Sequence, residues 1–359
     1  MANKEVLFLL PYPLHRAPSQ RFRVENLLFL LDESKISYHL EPFMSEAVWQ
    51  ILYRQGSIFQ KAIGISKSYI KRWSSILFTA HRYNTIFIHR EAAPLGPPII
   101  EWYLKKVLGK RIIYDFDDAI WIPNTSEQNK IAGIIKAFWK VKYICKWSYK
   151  ISAGNDYLCA FAKESGAKSI VKIPTVVNTE TRYNQLKKHH NKKLVVGWTG
   201  SHSTLKFIDG LIPVLQLLQE EIPFTFLVIA DKKPELKLKY WEFCPWNEQS
   251  EIEDLLKIDI GVMPLNNDAW SEGKCGFKLI QYLSLGIPAI ANSVGVNKQI
   301  IEDGKNGILA DNAEQWEKAI RVLLDNEEKR REMGEAGRKK MIAEYSIESQ
   351  KDNFIGLFR

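Results

Sequence analysis

Short apolar runs alternate along this chain with segments in which apolar residues recur at helical spacing. Each apolar run predicts a buried strand, and each amphipathic segment predicts a helix. Strands and helices that alternate at this spacing indicate an α/β protein with parallel, doubly wound sheets. The predicted strands are residues 4–10, 84–88, 111–116, 150–153, 171–174, 194–198, 225–230, 260–265 and 288–292.

The chain has 359 residues, more than one ordinary domain needs, so two domains are expected. The polar run KKHHNKK at 187–193 separates two series of strands and predicts a linker. We therefore expect domains at residues 1–185 and 186–345, with residues 346–359 forming a tail that packs back on the first domain. Two doubly wound domains facing each other across a cleft would bind ligands there, because clefts between domains are the usual ligand sites.

The most informative segment is 259–310, in which a strand leads through a polar loop into a helix. The strand IGVMPL precedes the loop NNDAWSEGKCG, and the helical segment FKLIQYLSL ends at Gly286, just before Pro288. Free N–H groups at such a helix start, at the carboxyl edge of a parallel sheet, form a natural anion site. Lys274 and Lys278 lie at this junction, where they would neutralise phosphate. The alternative is an ordinary crossover with two solvated lysines.

The net charge of +9 is concentrated in the first half of the chain. Residues 1–172 contain 25 Lys and Arg against 14 Asp and Glu, which gives +11, whereas residues 173–359 contain 25 against 27, which gives −2. An anionic partner is therefore expected for the first half, either nucleic acid or an acidic membrane surface. No helix-turn-helix, RRM or zinc-finger signature occurs, so nucleic acid is not expected.

Cysteine usage and hydropathy exclude several other classes of protein. The four cysteines are far apart and form no CxxC motif, which predicts neither a zinc knuckle nor a disulfide framework and fits a reducing cytosol. No run of about twenty uncharged apolar residues occurs, so we expect no membrane span.

Residues 131–150 are predicted to form one amphipathic helix. Apolar side chains fill one face, and Trp139 and Trp147 lie among lysines on the other. Lysines interleaved with aromatic rings are typical of a helix that binds an acidic membrane surface, although a basic solvated face is the alternative. The lysines on this face are Lys136, Lys140, Lys142, Lys146 and Lys150.

Charged side chains in the first half cluster where predicted strands end. Arg21 and Arg23 lie in the first strand-to-helix connection, where a ligand sits in open α/β sheets. The trio His89, Arg90 and Glu91 lies at the end of the strand at 84–88. The strand RIIYDF is expected to lead into an acidic loop that contains Asp115, Asp117 and Asp118. The alternative for the loop that contains Arg21 and Arg23 is a solvated basic surface without a ligand. The alternative for His89 is a structural role.

Several motifs together resemble glycosyltransferase family 4 (group 1), whose members are retaining enzymes of GT-B fold. They are GWTGSHSTLKFI, DIGVMPL, GKCGFKLIQYLSLGIPAIAN and VGVNKQIIEDGKNGILA in the second half. In the first half, YNTIFIHREAAPLGPP, RIIYDFDDAIW and SAGNDYLCAFA are similar to a bacterial branch that builds surface polysaccharides such as lipopolysaccharide. The resemblance covers nearly the whole chain and implies a GT-B fold of two Rossmann-like domains.

The resemblance implies a nucleotide-sugar donor bound by residues 186–345 and an acceptor bound by residues 1–185. Lys278 is then the best diphosphate ligand. Two departures affect the donor site: Gln281 replaces a glutamate that usually contacts the ribose, and Gly273 stands where a first glutamate is usual, so that this role is either displaced to Glu272 or absent. The other donor-site residues are Gly200, Ser201, Lys206, Lys274, Gly276 and Phe277.

On the acceptor side, the resemblance implies that Asp117, Asp118 or His89 orients the acceptor hydroxyl or takes its proton. Contacts with the acceptor are expected from Arg21, Arg23, Arg90 and Glu91. The D-F-D run at 115–117 matches the metal-binding motif of GT-A transferases, but two doubly wound halves argue against that class. The resemblance also implies that no metal or permanent cofactor is bound, because GT-B enzymes generally work without a divalent metal ion.

The resemblance predicts that the protein is a hexosyltransferase that retains anomeric configuration and acts on a lipid-linked or polysaccharide acceptor. We expect it in the cytoplasm, peripheral on the inner face of the cytoplasmic membrane. The alternatives are a sugar-nucleotide epimerase of GT-B fold and an inactive sugar-nucleotide-binding partner.

Overall fold

The computed structural model of this chain describes residues 5–52, 56–123, 135–190 and 193–359. It divides into two compact units, one formed by the chain up to Thr175 together with Lys351–Arg359, and the other by Val176–Gln350. Each unit is built on a six-stranded sheet in which neighbouring strands are parallel. The predicted α/β class with two doubly wound sheets is confirmed.

The first sheet has the strand order β2-β1-β3-β4-β5-β6. Its strands are β1 (Val6–Leu10), β2 (Tyr38–Pro42), β3 (Thr85–His89), β4 (Arg111–Phe116), β5 (Lys150–Ala153) and β6 (Ile170–Lys172). Its helices are α1 (Pro18–Arg23), α2 (Leu28–Glu33), α3 (Glu46–Leu52), α4 (Ile58–Phe78), α5 (Ile99–Trp102, continued by the π segment Tyr103–Val107), α6 (Lys140–Trp147) and α7 (Asp156–Glu164). Short 3₁₀ turns lie at Glu25–Leu27 and Ala80–Arg82.

The end of the chain packs on the core of the first unit. The Phe8 ring on β1 stacks on Phe87 of β3 at a centroid distance of 4.7 Å, and the Phe358 ring lies 6.0 Å from each. Lys150 Nζ donates to the backbone oxygen of Gly356 at 2.6 Å. Aromatic burial and this hydrogen bond hold the terminal residues against the sheet.

The second sheet has the order β9-β8-β7-β10-β11-β12. Its strands are β7 (Leu194–Gly200), β8 (Phe224–Ala230), β9 (Trp241–Pro245), β10 (Ile260–Met263), β11 (Ala289–Ala291) and β12 (Gly307–Leu309). A 3₁₀ segment at His202–Leu211 leads into α8 (Ile212–Glu221), followed by α9 (Glu251–Leu255), α10 (Ala269–Glu272), α11 (Phe277–Ser284), α12 (Asn297–Ile300), α13 (Ala313–Asp325), α14 (Glu327–Glu344) and α15 (Ile347–Gly356).

The polar run at 187–193 is not simply an exposed linker. Lys187 is buried, and its Nζ lies 2.9 Å from Asp259 Oδ1. His189 is also buried, with Nε2 3.0 Å from the backbone oxygen of Gly286. Both side chains therefore pack into the second unit, whereas residues 191–192 lie outside the described part of the chain. The sequence of this run could not reveal these contacts, because the partner residues Asp259 and Gly286 are distant in sequence.

In the described part of the segment predicted as one helix at 131–150, a turn at 137–139 interrupts the helix, and one of its lysines is buried. The helix α6 begins at Lys140, after Ala137 in a left-handed conformation (φ 49°), and residues 131–134 lie outside the described ranges. Lys140 is 3% exposed, with Nζ 2.8 Å from Glu91 Oε2, while Lys150 is bonded to the chain end as described above. The prediction that Lys140 lies on the membrane-facing side was therefore wrong, because its side chain is buried and paired with Glu91. Lys150 is partly exposed, and its contribution to such a surface stays a prediction.

Other side chains of the same segment remain exposed. Lys136, Lys142 and Lys146 are exposed, as are the rings of Trp139 and Tyr143. Among the described residues, no helix is both long enough and apolar enough to cross a bilayer.

The position of α11 depends on a glycine in the neighbouring strand. A Cβ on Gly261 of β10 would overlap the Tyr282 ring of α11. Without that Cβ, the ring lies flat on the sheet, and its hydroxyl accepts the N–H of Thr199 in β7 at 2.9 Å. Burial raises the pKa of the Tyr282 hydroxyl, so it stays protonated. The start of α11 is thereby held beside the ends of β7 and β10.

We predict that Gly261→Ala lowers the free energy of unfolding by about 1–3 kcal/mol or more, because the Cβ forces the Tyr282 ring off the sheet. The measurement is a urea denaturation curve. Gly210→Ala is the control, because no atom lies within 4 Å of its added Cβ. Equal midpoints for both variants would contradict the packing argument.

Candidate functional site

Each sheet has a point at which the chain winds off in opposite directions from two neighbouring strands. In the first sheet this point lies between β1 and β3, and in the second between β7 and β10. The loops that follow such a pair of strands diverge and leave a crevice at the carboxyl edge, where ligands of α/β proteins bind. The polar segments singled out in the sequence follow these strands.

At the second crevice, α11 begins with an arrangement suited to an anion. Gly276 caps the helix with φ 66°, and a Cβ there would overlap Ile300, so that only glycine fits this turn. The first backbone N–H groups of a helix have no partner within the helix and carry its positive dipole end. Lys274 Nζ lies 5.0 Å from the centroid of the Trp270 ring, and Lys278 Nζ lies 5.3 Å from that of Trp198.

The Lys278–Trp198 contact joins the two sides of this crevice. Trp198 belongs to β7, whereas Lys278 is in the first turn of α11 and is half-buried. An ammonium over an indole ring is stabilised by the ring's electrons, so the long side chain is held instead of being free in solvent. The structure thus brings the predicted diphosphate ligand next to the predicted loop at Gly200.

The loop after β7 is ordered by its own side chains. Ser201 Oγ lies 2.8 Å from Ser203 Oγ, and Asp231 accepts the backbone N–H of His202 and lies 2.6 Å from its Nδ1. Gly200 cannot carry a Cβ, because it would lie 2.5 Å from the Trp198 ring. Lys206 is exposed, with Nζ 5.5 Å from the ring centroid of its neighbour Phe207.

Gln281 lies inside the second unit. Its Nε2 donates to Tyr183 Oη at 2.8 Å and to Glu251 Oε1 at 3.3 Å. Glu251 also accepts from Arg182 at 2.7 Å and from Trp246 Nε1 at 3.1 Å. The amide nitrogen proposed for a ribose hydroxyl therefore belongs to a buried polar network that the sequence did not reveal.

The remaining candidates on this side flank the start of α11. Glu272 is half-buried at the end of α10, a helix whose first turn is capped by Asp268 Oδ1, which accepts the N–H of Ser271 at 2.7 Å. A Cβ on Gly295 would lie 2.9 Å from the Glu272 backbone oxygen, so the two segments approach closely. Phe277, the first residue of α11, is half-buried.

The crevice of the first unit is organised around a buried carboxylate. Asp115, which was expected in a loop, is the fifth residue of β4 and is 1% exposed. It accepts from the Arg23 guanidinium, from Ser152 Oγ at 2.6 Å, and lies 2.8 Å from His89 Nδ1. Burial alone would raise the pKa of Asp115, but the Arg23 charge and the hydrogen bond with His89 hold it below its ordinary value.

Two further carboxylates surround Arg90. Its guanidinium donates to Asp117 Oδ1 at 2.8 Å and to Asp118 Oδ2 at 2.5 Å. Against the effect of burial, the charges of Arg90 and His89 hold the pKa of Asp117 far below its ordinary value. Ser19 Oγ, at the start of α1, also donates to Asp117 Oδ1 at 2.7 Å and lies 2.9 Å from His89 Nε2.

The backbone at Arg90 is held in a conformation that non-glycine residues rarely adopt. Its φ is 59°, and its N–H donates to the Asp115 backbone oxygen at 2.7 Å, while Tyr114 Oη donates to the Arg90 oxygen at 2.7 Å. Such strain, of order 1–3 kcal/mol, persists only where surrounding contacts enforce it, and it concentrates at functional sites. Here it turns the guanidinium toward Asp117 and Asp118.

Two acceptor-side candidates contact residues outside this cluster, and their role toward an acceptor stays a prediction. Arg21 is buried, with its guanidinium 5.1 Å from the centroid of the Phe22 ring. Glu91 is paired with Lys140, as described above. Conversely, Ser19 and Ser152 belong to the cluster and were missed, because neither the run APSQR around Ser19 nor the short strand KISA around Ser152 distinguishes a functional serine from an ordinary one. In the described part of the chain, no three His, Cys, Asp or Glu side chains are arranged to hold a metal ion.

Among the comparisons with known proteins, the match to a protein family lies within the second unit. Residues 180–340 match the family model described as glycosyl transferases group 1. An uncharacterized glycosyltransferase of Methanocaldococcus jannaschii is 30% identical over 218 residues, or 57% of this chain. The alignment covers 58% of that protein, so the chain spans little more than half the length of this curated relative.

Solved structures extend the similarity to both units. Sucrose-phosphate synthase from Thermosynechococcus elongatus has a TM-score of 0.72 at 12% identity, covering 99% of this chain and 98% of that one. Anabaena HepE, solved with UDP and glucose, has a TM-score of 0.66 at 13% identity, covering 99% of each chain. The chain therefore has the GT-B fold. The match to the glycosyl transferases group 1 model is confined to residues 180–340.

We predict that Arg23→Met costs about 3–5 kcal/mol of stability at neutral pH, because it leaves the Asp115 carboxylate buried without its cation. Chemical denaturation gives the free energy of unfolding. Arg16→Met is the control: the Arg16–Glu46 pair at 2.7 Å is about half exposed, and its loss should cost less than about 1 kcal/mol.

The stability difference between Arg23→Met and wild type should depend on pH. In the wild type the pKa of Asp115 is lowered on folding, so its contribution is present above the unfolded value of about 3.9 and is lost as pH falls through the folded value. In Arg23→Met the carboxylate is destabilised, and protonation relieves it. The difference should therefore narrow toward about pH 4. A difference independent of pH would contradict the assignment.

Proposed function

We propose that this protein is a retaining glycosyltransferase that moves a hexose from a nucleotide-sugar donor to a lipid-linked or polysaccharide acceptor. The observation that carries the proposal is the coincidence of the group 1 domain at residues 180–340 with an anion-suited helix start at its crevice. The complex of HepE with UDP and glucose supports a nucleotide sugar as the donor.

The donor diphosphate would bind at the start of α11. Its charge is met by Lys278 and Lys274, and its oxygens accept the N–H groups that follow Gly276. Gly200, Ser201 and Lys206 complete the site from the β7 side. When the bond to the sugar breaks, negative charge grows on the departing diphosphate, and prearranged cations and N–H dipoles stabilise it in the transition state. These protein groups supply the stabilisation that we propose occurs without a metal.

The acceptor would bind at the crevice of the first unit. Asp117 and Asp118 would orient its hydroxyl, and Arg90 fixes both carboxylates in place. His89 is fully buried and acts only through its neighbours. Retention of configuration and a role of Glu272 and Gln281 toward the donor sugar or ribose are part of the proposal on the strength of the family resemblance.

A lipid-linked acceptor is supported by the surface of the first unit. A cavity of about 280 Å³ is lined mainly by apolar and aromatic side chains, among them Trp73 of α4 and Ile99, and also by the charged residues Glu101 and Lys140. Exposed lysines and aromatic rings occur on the neighbouring segment at 135–147, where Ile135 also lines the cavity. We place the protein in the cytoplasm, bound peripherally to the acidic inner face of the cytoplasmic membrane and active in surface-glycan synthesis.

Lys278→Ala should weaken donor binding and lower donor hydrolysis about 100-fold, because each lost contact to the departing diphosphate costs roughly 3 kcal/mol. The measurement is calorimetric titration with UDP-, GDP- and ADP-sugars, followed by an assay of slow hydrolysis. Lys318→Ala, an exposed lysine of α13, is the charge-matched control and should behave as wild type.

The outcomes separate the candidate functions. If no nucleotide sugar binds, the proposal fails. A donor that binds but is never consumed, with or without added glycan acceptors, would indicate an inactive binding partner. Conversion of the donor into its epimer without an acceptor would indicate an epimerase.

Replacing Lys136, Lys142 and Lys146 together by Gln should weaken binding to vesicles containing acidic lipid, by about 1 kcal/mol per lysine. The measurement is co-sedimentation with phosphatidylserine vesicles at low and high salt. The control replaces three exposed lysines of the second unit, Lys232, Lys237 and Lys239. Equal sedimentation of the two triple variants would refute the membrane surface.

A further inference from the structure

One buried side chain of α11 has an orientation that its neighbours determine. Gln281 is 4% exposed, and its Nε2 donates to Tyr183 Oη at 2.8 Å and to Glu251 Oε1 at 3.3 Å. A carboxylate has no hydrogen to donate, so the amide atom that faces Glu251 must be the nitrogen. The two acceptors use both hydrogens of that nitrogen. Toward a ligand, Gln281 can therefore act only as an acceptor, through its amide oxygen.

Glu251, the first residue of α9, is itself held by donors from other segments. It is 5% exposed, its Oε2 accepts from Arg182 Nη2 at 2.7 Å, and its Oε1 accepts from Trp246 Nε1 at 3.1 Å. The charge of Arg182 offsets that of Glu251, and hydrogen bonds to both oxygens fix the position of the carboxylate. Glu251 thus provides a fixed acceptor against which the Gln281 amide is oriented.

Gln281 lies on the same side of α11 as the proposed diphosphate ligand. Lys278 is three residues earlier in this helix, and side chains three residues apart are neighbours on a helix surface. Lys278 Nζ in turn lies over the ring of Trp198 in β7. A nucleotide sugar carries a hydroxyl-bearing ring on each side of its diphosphate, the ribose on one side and the hexose on the other. A diphosphate bound at the start of α11 would bring one of these rings within about one helical turn of Gln281.

The same network accounts for an uncharged side chain at position 281. A glutamate there would have no N–H group for Glu251, and two carboxylates would face each other away from water, where like charges strongly destabilise each other. Arg182 could not offset both, because it also lies 3.6 Å from Glu248 Oε1. An amide oxygen accepts from a hydroxyl as a carboxylate does, but it adds no negative charge near the diphosphate. The residue types at positions 251 and 281 are therefore coupled.

We propose that Glu251 is a positioning residue that fixes the Gln281 amide, and that the Gln281 amide oxygen accepts a hydrogen bond from a hydroxyl group of the nucleotide-sugar donor. This inference rests on the proposed function. Glu251 acts only through Gln281 and does not touch the donor. The hydroxyl belongs to the ribose or to the hexose, and ligands that lack one or the other distinguish these two sources.

The first test measures the coupling without a donor, by urea denaturation of the full chain. Gln281→Glu should lower the urea midpoint, because it places a second carboxylate beside Glu251. Glu251→Gln should lower the midpoint in the wild type, where Arg182 loses its charge partner. In the Gln281→Glu background the same change should raise the midpoint, because it removes the repulsion.

The matched control for this test is Gln249→Glu, a change at an exposed glutamine two residues before Glu251, which should leave the midpoint near that of the wild type. If Gln281→Glu does not fold, recovery of a folded protein in the double variant is the same readout. A midpoint that Glu251→Gln lowers in both backgrounds would overturn the coupling.

The second test measures the binding of UDP-glucose, UDP, 2′-deoxy-UDP and 3′-deoxy-UDP by calorimetric titration. Gln281→Met, which keeps the size of the side chain and removes its amide, should weaken UDP-glucose binding about fivefold, the effect of one hydrogen bond between neutral groups. Glu251→Gln should weaken binding with the same dependence on the ligand, because the amide is no longer fixed. A ribose contact predicts the same loss for UDP and a smaller loss for one deoxy form, whereas a hexose contact predicts no loss for UDP.

The outcomes of the second test also separate this inference from the proposed function. An equal loss for all four ligands, or no loss for any, would overturn the hydroxyl contact alone. A wild-type protein that binds no UDP-, GDP- or ADP-sugar would refute the proposed function and, with it, the role of Gln281 toward a donor. The urea measurements would still decide whether Glu251 and Gln281 are coupled.

Discussion

The buried carboxylate of Asp115 is the constraint on which the first unit depends. A carboxylate away from water is unstable unless its oxygens accept hydrogen bonds, and here the partners come from three different places in the chain. Arg23 comes from α1, His89 from β3, Ser152 from β5, and Asp115 itself from β4. Satisfying one charge therefore fixes the register of α1 against three strands. The same contacts orient the His89 imidazole, whose Nε2 lies beside Ser19 Oγ.

In the second unit, the crevice depends on the packing of α11 against the sheet. There the start of α11 is placed by the Tyr282 ring on Gly261 and by the bond from Thr199 to the Tyr282 hydroxyl. Helix N–H groups and two lysines held over indole rings then provide positive potential at the crevice. Ion pairs of Arg90 with Asp117 and Asp118 line the first crevice, whereas helix N–H groups and two lysines line the second. This difference suits an uncharged hydroxyl in one unit and a diphosphate in the other.

Features that depend on neighbouring residues could be predicted from the sequence, whereas contacts between residues distant in sequence could not. Apolar strands, the anion-suited loop before α11 and the polar residues after β3 follow from spacing along a few residues, and the structure brings them to the two crevices. The helical projection of residues 131–150 could not show that Lys140 meets Glu91, because that contact spans about fifty residues of sequence. Similarly, Gln281 occupies the expected position in α11, but its neighbours Tyr183 and Glu251 come from distant segments. Ser19 was invisible because its place in the cluster depends entirely on its contacts with His89 and Asp117.

The charges at the two crevices would also determine which crevice binds the donor and which binds the acceptor. In the cluster of the first unit, Asp117 and Asp118 are the carboxylates nearest the crevice surface, and Arg90 is committed to both. A phosphate approaching there would meet two carboxylates whose cation is already paired, and repulsion would oppose its binding. The start of α11 carries no such carboxylate partners in its first turn. The proposed donor is therefore directed to the second unit by attraction and kept from the first by repulsion, while an acceptor hydroxyl, having no charge, is free to use the hydrogen-bonding groups around Asp117.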